Sequence, residues 1–316
     1  MEKIHYLLPQ EGNFYKANLH CHTNLSDGYF TPEEMKIAYQ IRGYQIVAYT
    51  DHRICVDHSD LNDTSFLALT GTELDDHTSS EESGWDQCCH ICCIARTPGT
   101  RENMLQMEHG DVEAYNRTIE KLQKEGFIVH YNHPAWSAQP AGVYTALRGV
   151  SGFEVFNYDA ETYGLEGNGL SEYALFLKSG QRAYPVAGDD NHNLSRFRRF
   201  VTDSFGAFTM IKAKKLTYES VISALDAGHV YGSTGPEVLE YTLQGEKLSV
   251  KCSPVSRVML KSAKVGINRQ NIIMPSDVIT EATFELSQVH GFAYILLIAQ
   301  DGTCACTAPV FEEMWK

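Results

Sequence analysis

Short apolar runs alternate with longer stretches of helical periodicity from about residue 14 to residue 235. This alternation is typical of β/α units, in which helices connect the strands of a largely parallel sheet or barrel. In the first unit, the strand-like segment "YKANLHCH" precedes a helix with Thr31 as N-cap, Pro32 at the first helical position and Gly43 at its end. The sequence therefore predicts an α/β fold for this part of the chain.

The pattern changes after about Pro236, where period-two runs are separated by turn signals. Segments such as "EYTLQGEKLSVKCS" and "TFELSQV" alternate apolar and polar residues, as strands with one buried face do. We therefore predict two domains: a larger α/β domain over residues 1–236 and a small antiparallel β-sandwich-like module over residues 237–316. The module carries no cluster of ligand-type residues, so we expect it to be structural or to modulate assembly.

Composition narrows the class of partner. The 316 residues carry a formal net charge of −14, whereas nucleic-acid polymers and anionic membranes are bound through a basic face. No stretch reaches the roughly 18 consecutive apolar residues of a membrane span. Nine cysteines without an export signal are typical of free or metal-binding thiols in a reducing compartment. We therefore expect a soluble cytoplasmic protein that acts on a small molecule, and the sequence does not indicate its oligomeric state.

Residues with metal-binding side chains follow almost every predicted strand. In a β/α barrel the carboxyl ends of the strands open onto one face, so such residues converge although they are far apart in sequence. Imidazole and carboxylate groups are common ligands of zinc, manganese and iron, and their number here indicates more than one ion. The residues at these strand ends are His20, His22, Asp27, Asp51, His52, Glu73, His90, His130, His133, Glu154, Asp189, Asp190 and His192.

These residues lie in six motifs that occur in a fixed order: "NLHCHTNLSDG", "AYTDH", "TGTE", "CHICCIA", "YNHP" and "AGDDNH". In this order the motifs resemble those of the PHP (polymerase and histidinol phosphatase) superfamily, over roughly residues 14–235. The segments "GDDNH" and "AGHVYGSTGP" are most similar to the carbaryl-hydrolase-type metallohydrolases within it. The resemblance implies a distorted seven-stranded (β/α) barrel that holds two or three divalent ions (Zn, Mn or Fe).

The resemblance also implies how the ligands are shared among the ions. Glu73 is expected to bridge two of them. The first ion would be held by His20, His22, Glu73 and Asp190, the second by Glu73, His90 and His133, and the third by Asp27, His52 and His192.

The segment "DQCCHICC" raises the question of a structural zinc site, because it places four cysteines beside a histidine. On a strand, side chains alternate between faces, so Cys88, His90 and Cys92 share one face, and Cys89 and Cys93 share the other. Ligands this close on an extended backbone cannot surround one ion. We predict that the strand delivers a single ligand, His90, and that the cysteines pack as small apolar residues. The alternative left open is that Cys88 or Cys92 reaches a metal as thiolate.

Other polar residues near the strand ends are predicted to support the site. The superfamily's ligand precedes proline, so His133 is preferred over His130, which we expect to be an inward-facing core histidine. Asp51 is expected to orient the site, and Glu154 to accept a hydrogen bond behind the ligands. For Asp189 two roles remain open: orienting a ligand histidine, or capping the following helix.

Polar segments outside the strands are expected to face solvent. The segment "DDHTSSEESGWD", residues 75–86, is polar enough to form a mobile loop, and with Trp85 it is the candidate lid of the site. Three histidines in polar segments are predicted to be solvated: His58, His77 and His109.

The motifs also bear on the reaction. The sequence contains neither a Gly-Xaa-Ser-Xaa-Gly elbow nor a phosphate-binding Walker loop, so we expect water as the nucleophile. Two divalent ions can lower the pKa of a water that bridges them toward about 7. Glu73 would hold that geometry, and His52 or His192 could protonate the leaving group. Arginines after two of the motifs are candidates for binding substrate phosphate: Arg53, Arg196, Arg198 and Arg199.

The resulting hypothesis is a metal-dependent hydrolase, specifically a phosphoesterase acting on a small phosphorylated metabolite or nucleotide. One alternative is a carbamate, amide or ester hydrolase with the same metal site. A second is a non-catalytic metal-binding regulatory module. The complete set of ligand-type residues argues against the second alternative.

Overall fold

The computed structural model describes residues 3–80, 85–103, 106–193, 203–264 and 270–316. Over these residues the chain forms six α-helices and eighteen β-strands. The helices are α1 (Pro32–Ile41), α2 (Val112–Lys124), α3 (Ala141–Tyr144), α4 (Tyr158–Thr162), α5 (Leu170–Lys178) and α6 (Tyr218–Asp226). No helix in the described ranges has the length and apolar character needed to span a membrane.

The strands are distributed along the whole chain. They are β1 (Ile4–Tyr6), β2 (Asn13–Asn18), β3 (Ile46–Tyr49), β4 (Leu67–Ser80), β5 (Trp85–Ala95), β6 (Phe127–Tyr131), β7 (Gly152–Asn157), β8 (Tyr184–Gly188), β9 (Phe208–Ala213), β10 (Val230–Ser233), β11 (Val238–Gln244), β12 (Lys247–Val255), β13 (Arg257–Ser262), β14 (Ile272–Ile273), β15 (Ile279–Glu285), β16 (Phe292–Ile298), β17 (Cys304–Thr307) and β18 (Val310–Phe311).

Helix α1 begins and ends where the sequence predicts. The Thr31 hydroxyl accepts a hydrogen bond from the Glu34 N–H, and the Glu34 carboxylate accepts one from the Thr31 N–H, which completes a capping box. Pro32 occupies the first helical position. After the helix, Gly43 takes a φ of +78°, a conformation that glycine adopts without strain.

A large mixed sheet forms the body of the molecule. Its hydrogen-bonded order is β14-β13-β16-β17-β10-β9-β2-β3-β4-β5-β6-β7-β8, and β18 pairs with β16. Strands β2, β3 and β4 are parallel, as are β6, β7 and β8, but β5 is antiparallel to both of its neighbours. The expectation of a largely parallel sheet is therefore wrong at β5, because β5 pairs back against β4 without a crossover helix. It is also wrong at β9, which is antiparallel to both β2 and β10.

Strand β8, at one end of this order, also contacts β9. The Thr209 hydroxyl donates to the Ala187 carbonyl and accepts from the Ala187 N–H, both at 2.9 Å. The two ends of the run β9-β2-β3-β4-β5-β6-β7-β8 therefore lie next to each other. They are joined by this side-chain contact and not by main-chain pairing between β8 and β9. A closed seven-stranded barrel is not shown by the pairing and stays a prediction.

The hairpin of β4 and β5 corrects the loop prediction for residues 75–86. Strand β4 continues to Ser80 and β5 begins at Trp85, so the polar segment is paired backbone on both sides of residues 81–84, which lie outside the described ranges. The ladder pairs His77 with Cys88 and Asp75 with His90. A polar strand is tolerated here because its backbone groups are satisfied by the partner strand.

The C-terminal part is antiparallel, as predicted. A separate four-stranded sheet has the order β1-β11-β12-β15, and β11 and β12 form a hairpin that turns at Gly245, whose φ is +53°. Two pairings cross the predicted boundary at residue 236: β1 joins β11, and β10 joins β17. The division into residues 1–236 and 237–316 itself stays a prediction.

Candidate metal centre

Three clusters of ligand-type side chains surround one cavity of about 570 Å³. Within each cluster, the participating nitrogen and oxygen atoms lie within 4.8 Å of one another. The His20 cluster comprises His20, His22, Glu73 and Asp190; the His90 cluster comprises Glu73, His90 and His133; the Asp27 cluster comprises His22, Asp27, His52 and His192. The structure thus brings together all nine residues predicted as metal ligands.

The strands explain this convergence. His20 and His22 follow β2, and His52 follows β3, while Glu73 lies within the parallel strand β4. Because β5 runs antiparallel to β4, its first half lies beside the carboxyl-terminal half of β4, which brings His90 to the same end of the sheet. On the other side, His133 follows β6, and Asp190 and His192 follow β8.

The His20 cluster is buried and tightly spaced. The Asp190 Oδ1 atom lies 3.0 Å from His20 Nε2 and 3.1 Å from His22 Nε2. Glu73 completes the cluster, with its Oε1 3.2 Å from His20 Nε2 and its Oε2 3.3 Å from His22 Nε2. Two imidazoles and two carboxylates facing one point are a donor set suited to a divalent transition metal.

Glu73 also belongs to the His90 cluster. Its Oε1 lies 3.2 Å from His90 Nδ1 and 3.4 Å from His133 Nε2. The Asn132 side-chain amide donates to the same oxygen at 2.6 Å. The carboxylate therefore lies between two groups of histidines, as expected of a residue that bridges two ions.

The Asp27 cluster is more open. Its distances are longer: Asp27 Oδ2 lies 3.5 Å from His192 Nε2 and 3.6 Å from His52 Nε2. His22 contributes here as well, with its Nδ1 3.7 Å from Asp27 Oδ1. The predicted ligand scheme placed His22 in the first group alone, whereas in the structure its two nitrogens face two different clusters.

The chemistry of these side chains fits cations. Four buried nitrogens have no hydrogen-bond partner although carboxylate oxygens lie nearby: His20 Nε2, both nitrogens of His22, and His52 Nδ1. Burial alone would raise the pKa of Glu73, but the neighbouring histidines, His20 foremost, hold it well below its ordinary range. The buried carboxylates are thus ionised, and divalent ions would satisfy both the charges and the unpartnered nitrogens.

Comparison with known proteins gives weak similarities. No protein-family profile matches the chain, and no curated protein sequence matches it. Solved structures that resemble it include a two-domain protein from Bacteroides vulgatus containing a predicted PHP-like metal-dependent phosphoesterase. That structure is 14% identical, covers 96% of this chain and 98% of its own, and has a TM-score of 0.49.

Two further structures cover less of the chain. One, from Bifidobacterium adolescentis, is described as a candidate metal-dependent phosphoesterase; it is 14% identical over 62% of this chain and 94% of its own, with a TM-score of 0.37. The other is an amidohydrolase from Chromobacterium violaceum with bound sulfate and no metal; it is 15% identical over 56% of this chain and 87% of its own, with a TM-score of 0.38.

Two acids outside the clusters act as predicted. The Glu154 carboxylate lies 3.1 Å from His20 Nδ1 and accepts from the His133 N–H at 2.7 Å, which fixes the orientation of the His20 ring. Asp51 accepts hydrogen bonds from Thr23 and Ser26, so it orders the loop that carries Asp27.

The backbone at the site adopts conformations that L-residues rarely take. Arg53, His133 and Asp190 have φ angles of 58°, 26° and 53°. Such residues persist where the surrounding structure holds them, and they concentrate at functional sites. Gly188 is required for a related reason: a Cβ there would lie 2.7 Å from the Cβ of His20.

Three further predictions have different outcomes. His130 is a core histidine as predicted: it is buried, its Nε2 lies 3.0 Å from the Tyr184 hydroxyl, and burial lowers its pKa to about 3. Asp189 takes neither predicted role. Its carboxylate instead accepts from the Tyr39 hydroxyl and from the N–H groups of residues 205–207, and burial raises its pKa to about 6.

Of the three histidines predicted to be solvated, one contacts the site. The His77 side chain is 61% exposed, but its Nε2 lies 3.2 Å from His90 Nε2. His109 is exposed as predicted, and its Nδ1 lies 2.7 Å from Oδ1 of Asp76. His58 is half-buried, because its ring packs against the ring of Tyr49.

The cysteines of β5 alternate as predicted. Cys89 and Cys93 are buried in an apolar cluster with Leu74 and Tyr131. Cys92 faces the other way, and its sulfur accepts from the Asn132 amide at 3.1 Å.

The predicted phosphate-binding arginines are only partly described. Arg53 lines the cavity, is 53% exposed and pairs with the buried carboxylate of Asp75. Arg196, Arg198 and Arg199 lie outside the described residues. The role of Arg53 toward substrate stays a prediction.

Some cavity residues were missed by sequence reasoning. Trp136 lies at the mouth, 39% exposed, with its ring at right angles to that of His133. Asp159, in the first turn of α4, also lines the cavity, and burial raises its pKa to about 7. A strand-end search could have found Asp159, which is two residues past β7, but Trp136 carries no sequence signal of its own.

Proposed function

We propose that this chain is a metal-dependent hydrolase of the PHP type and that it cleaves a phosphate ester of a small molecule. The observation that carries the proposal is the convergence of three ligand clusters on one cavity, two of them sharing Glu73 and two sharing His22. A set of nine imidazoles and carboxylates around an open cavity exceeds what a structural ion requires.

The ligand positions suggest how the chain would hold two or three divalent ions. When bound, such ions activate water and polarise the substrate oxygen. His22, Glu73 and His20 would fix the deepest position, because they are the most buried members of the clusters. Glu154 would hold the ring orientation of His20, and Ser137 that of His133. Each contacts the ring nitrogen that faces away from Glu73.

A proton donor for the leaving group is available at the cavity wall. His192 Nε2 faces the carboxylate of Asp27. Burial would lower the pKa of His192, but the hydrogen bond and charge of Asp27 outweigh it and raise the pKa to about 10. Without an ion in the Asp27 cluster, the imidazole therefore carries a proton at neutral pH and could deliver it from Nε2; as a metal ligand, Nε2 would carry no proton.

The charge of the cavity decides which substrates can enter. Carboxylates line it heavily, and Arg53 is the basic residue other than histidine among the described lining residues. Without cations this cavity repels anions, whereas two or three divalent ions supply about four to six positive charges at short range. An anionic substrate is therefore admitted by the loaded site, and we propose a small phosphorylated metabolite or nucleotide.

A second candidate function is the hydrolysis of a neutral carbamate, amide or ester. The observation that favours it is that Arg53 is already paired with Asp75, which leaves its charge partly neutralised. The exposed ring of Trp136 adds apolar surface at the mouth, which suits an uncharged organic substrate. The same ions would polarise a carbonyl oxygen as they polarise a phosphoryl oxygen.

A hydrolysis screen separates the two functions. Protein purified without chelator and supplemented with Zn²⁺ or Mn²⁺ is assayed with phosphomonoesters, phosphodiesters and neutral aryl carbamates. We expect phosphoester turnover that inorganic phosphate inhibits competitively. Efficient carbamate cleavage that phosphate does not inhibit would favour the second candidate, and inactivity toward every class with full metal content would favour a regulatory module.

A further inference from the structure

One face of the β4–β5 hairpin carries metal-binding side chains at two successive cross-strand pairs. The antiparallel register pairs Asp75 with His90 and His77 with Cys88. Residues two apart on a strand share a face, so these two cross-strand pairs are direct neighbours. The same face continues to Glu73 and Cys92, which form the next pair toward the metal centre.

Three of these side chains bring their ligand atoms together in a further group, which shares His90 with the His90 cluster. The nearest nitrogen or sulfur atoms of His77, Cys88 and His90 lie within 4.8 Å of one another, and we call this group the hairpin cluster. His77 Nε2 lies 3.2 Å from His90 Nε2 and 3.4 Å from the Oδ2 of Asp75. A fourth donor is thus adjacent to the group, although Asp75 also pairs with Arg53.

Burial distinguishes the hairpin cluster from a chance contact at the surface. Cys88 and His90 are buried, whereas the His77 side chain is 61% exposed, so the cluster is reached from solvent through His77 and the cavity that His77 and His90 line. A hydrogen bond between the two imidazoles would account for their 3.2 Å separation. Strand alternation places Cys88 on the same face, opposite the face that carries Cys89, and its sulfur lies within 4.8 Å of a nitrogen of each ring.

The donor set indicates the kind of ion. Thiolate sulfur and imidazole nitrogen are both ligands of zinc, and a carboxylate or water would complete a four-coordinate set. Soft sulfur ligands favour Zn²⁺ over Mg²⁺ or Mn²⁺, and a thiol that binds the metal does so as thiolate, with its proton released to solvent.

We infer that His77, Cys88 and His90 form an additional binding site for a thiolate-preferring transition metal at the edge of the cavity. This inference does not depend on the proposed hydrolase function. In this site Cys88 binds the metal together with His77 from the partner strand, and not together with the other cysteines of its own strand. The inference thus corresponds to the alternative left open by the sequence, that Cys88 reaches a metal as thiolate.

His90 links the additional site to the His90 cluster. Its Nδ1 faces Glu73 at 3.2 Å, while its Nε2 faces His77. A neutral imidazole has one nitrogen lone pair for a metal, because the other nitrogen carries the proton. An ion in the hairpin site therefore either competes with the His90 cluster for His90 or shares a deprotonated His90 with it.

Cobalt substitution tests the inference. The protein is stripped of metal, kept reduced with a phosphine and titrated with Co²⁺, while absorption from sulfur-to-cobalt charge transfer is recorded in the near ultraviolet. We expect the band in the unaltered protein and in Cys89→Ala, which removes a neighbouring sulfur from the opposite face. Cys88→Ala should lose the band, and His77→Ala should weaken cobalt binding at this site by about tenfold or more.

Several outcomes would overturn the inference. Absence of the band in the unaltered protein at saturating Co²⁺ is one, and its persistence in Cys88→Ala is another. Loss of the band in Cys92→Ala but not in Cys88→Ala would assign the sulfur ligand to Cys92 instead. If Cys88→Ala does not fold, His77→Ala decides, because the exposed His77 side chain can be removed without disturbing the core, and an unchanged titration would count against the site.

Discussion

Both oxygens of Glu73 face histidine nitrogens: Oε1 faces His20, His90 and His133, and Oε2 faces His22 and His52. Replacing Glu73 by glutamine keeps the size of the side chain but removes its charge and one acceptor oxygen. We expect Glu73→Gln to reduce bound metal to less than half and to abolish hydrolysis. Elemental analysis of protein purified without chelator measures the first effect, and Glu166→Gln, at an exposed position, is the control. Full metal content in Glu73→Gln would contradict the bridging assignment.

Arg53 tests the charge of the substrate. Its side chain is half exposed at the cavity, and it pairs with Asp75 rather than with any residue of the three clusters. We expect Arg53→Ala to lower kcat/KM for a phosphate ester by about 10- to 100-fold, the range of a lost charge-assisted hydrogen bond, with metal content unchanged. Arg117→Ala, which removes an exposed ion pair with Glu108, should leave kcat/KM unchanged. A neutral carbamate should be cleaved equally well by both variants.

At the residue scale, the metal-ligand candidates could be predicted from the sequence, whereas the roles of some residues around them could not. Histidines and acids at strand ends could be found because the strands themselves had a strong apolar pattern. The role of Asp189 could not be found, since it depends on residues 205–207 folding back over the end of β8. His77 was assigned to solvent because its local sequence is polar, and its contact with His90 arises only from cross-strand pairing.

The alternation of strand β5 is the element-scale feature with the sharpest consequence. Cys89 points into the apolar cluster, and His20, at the end of β2, points into the centre. We expect Cys89→Ala to keep its metal and activity and to lose about 1 kcal/mol of unfolding free energy through the small cavity it leaves. His20→Ala should lose metal and activity together. Thermal unfolding and elemental analysis of the two variants give the comparison, and metal loss in Cys89→Ala would show that the faces are misassigned.

The element whose structure the sequence pattern predicted least well is the β4–β5 hairpin. A polar run of Asp, His, Ser and Glu lacks the apolar alternation by which strands are recognised, so residues 75–86 read as a loop. Main-chain pairing with β5 makes it a strand instead. The sheet direction at β5 was missed for the same reason, because the absence of a crossover helix becomes visible only when the hairpin is recognised.

At the scale of the whole molecule, the predicted C-terminal module is joined to the rest by strand pairing. Ending the chain near Pro236 would remove β17, the partner of β10, and would uncover buried residues such as Tyr231. We expect such a shortened protein to be insoluble or strongly destabilised, since it exposes an unpaired strand edge and apolar surface. Expression in the soluble fraction with full metal content and a cooperative thermal transition would show that residues 1–236 fold independently.

Removal of metal should affect the stability of the whole molecule. The His20 cluster buries the ionised carboxylates of Glu73 and Asp190 in a protein whose formal net charge is already −14. An ion that binds only the folded state at about a thousandfold above its Kd contributes about 4 kcal/mol, which corresponds to a Tm change on the order of 10 °C for a chain of this size. We therefore expect chelation to lower the Tm by that amount and re-addition of Zn²⁺ or Mn²⁺ to restore it.

The variant His20→Ala is the matched control for this experiment. It should start from a lower Tm and change little on chelation, because its deepest ligand set is already incomplete. Protein purified without chelator should contain at least two metal equivalents, as two clusters that share Glu73 require. If chelation leaves the Tm unchanged while elemental analysis shows the metal removed, the buried carboxylates must be satisfied by the protonated histidines around them, and the clusters would then stabilise the fold as ion pairs rather than as a metal centre.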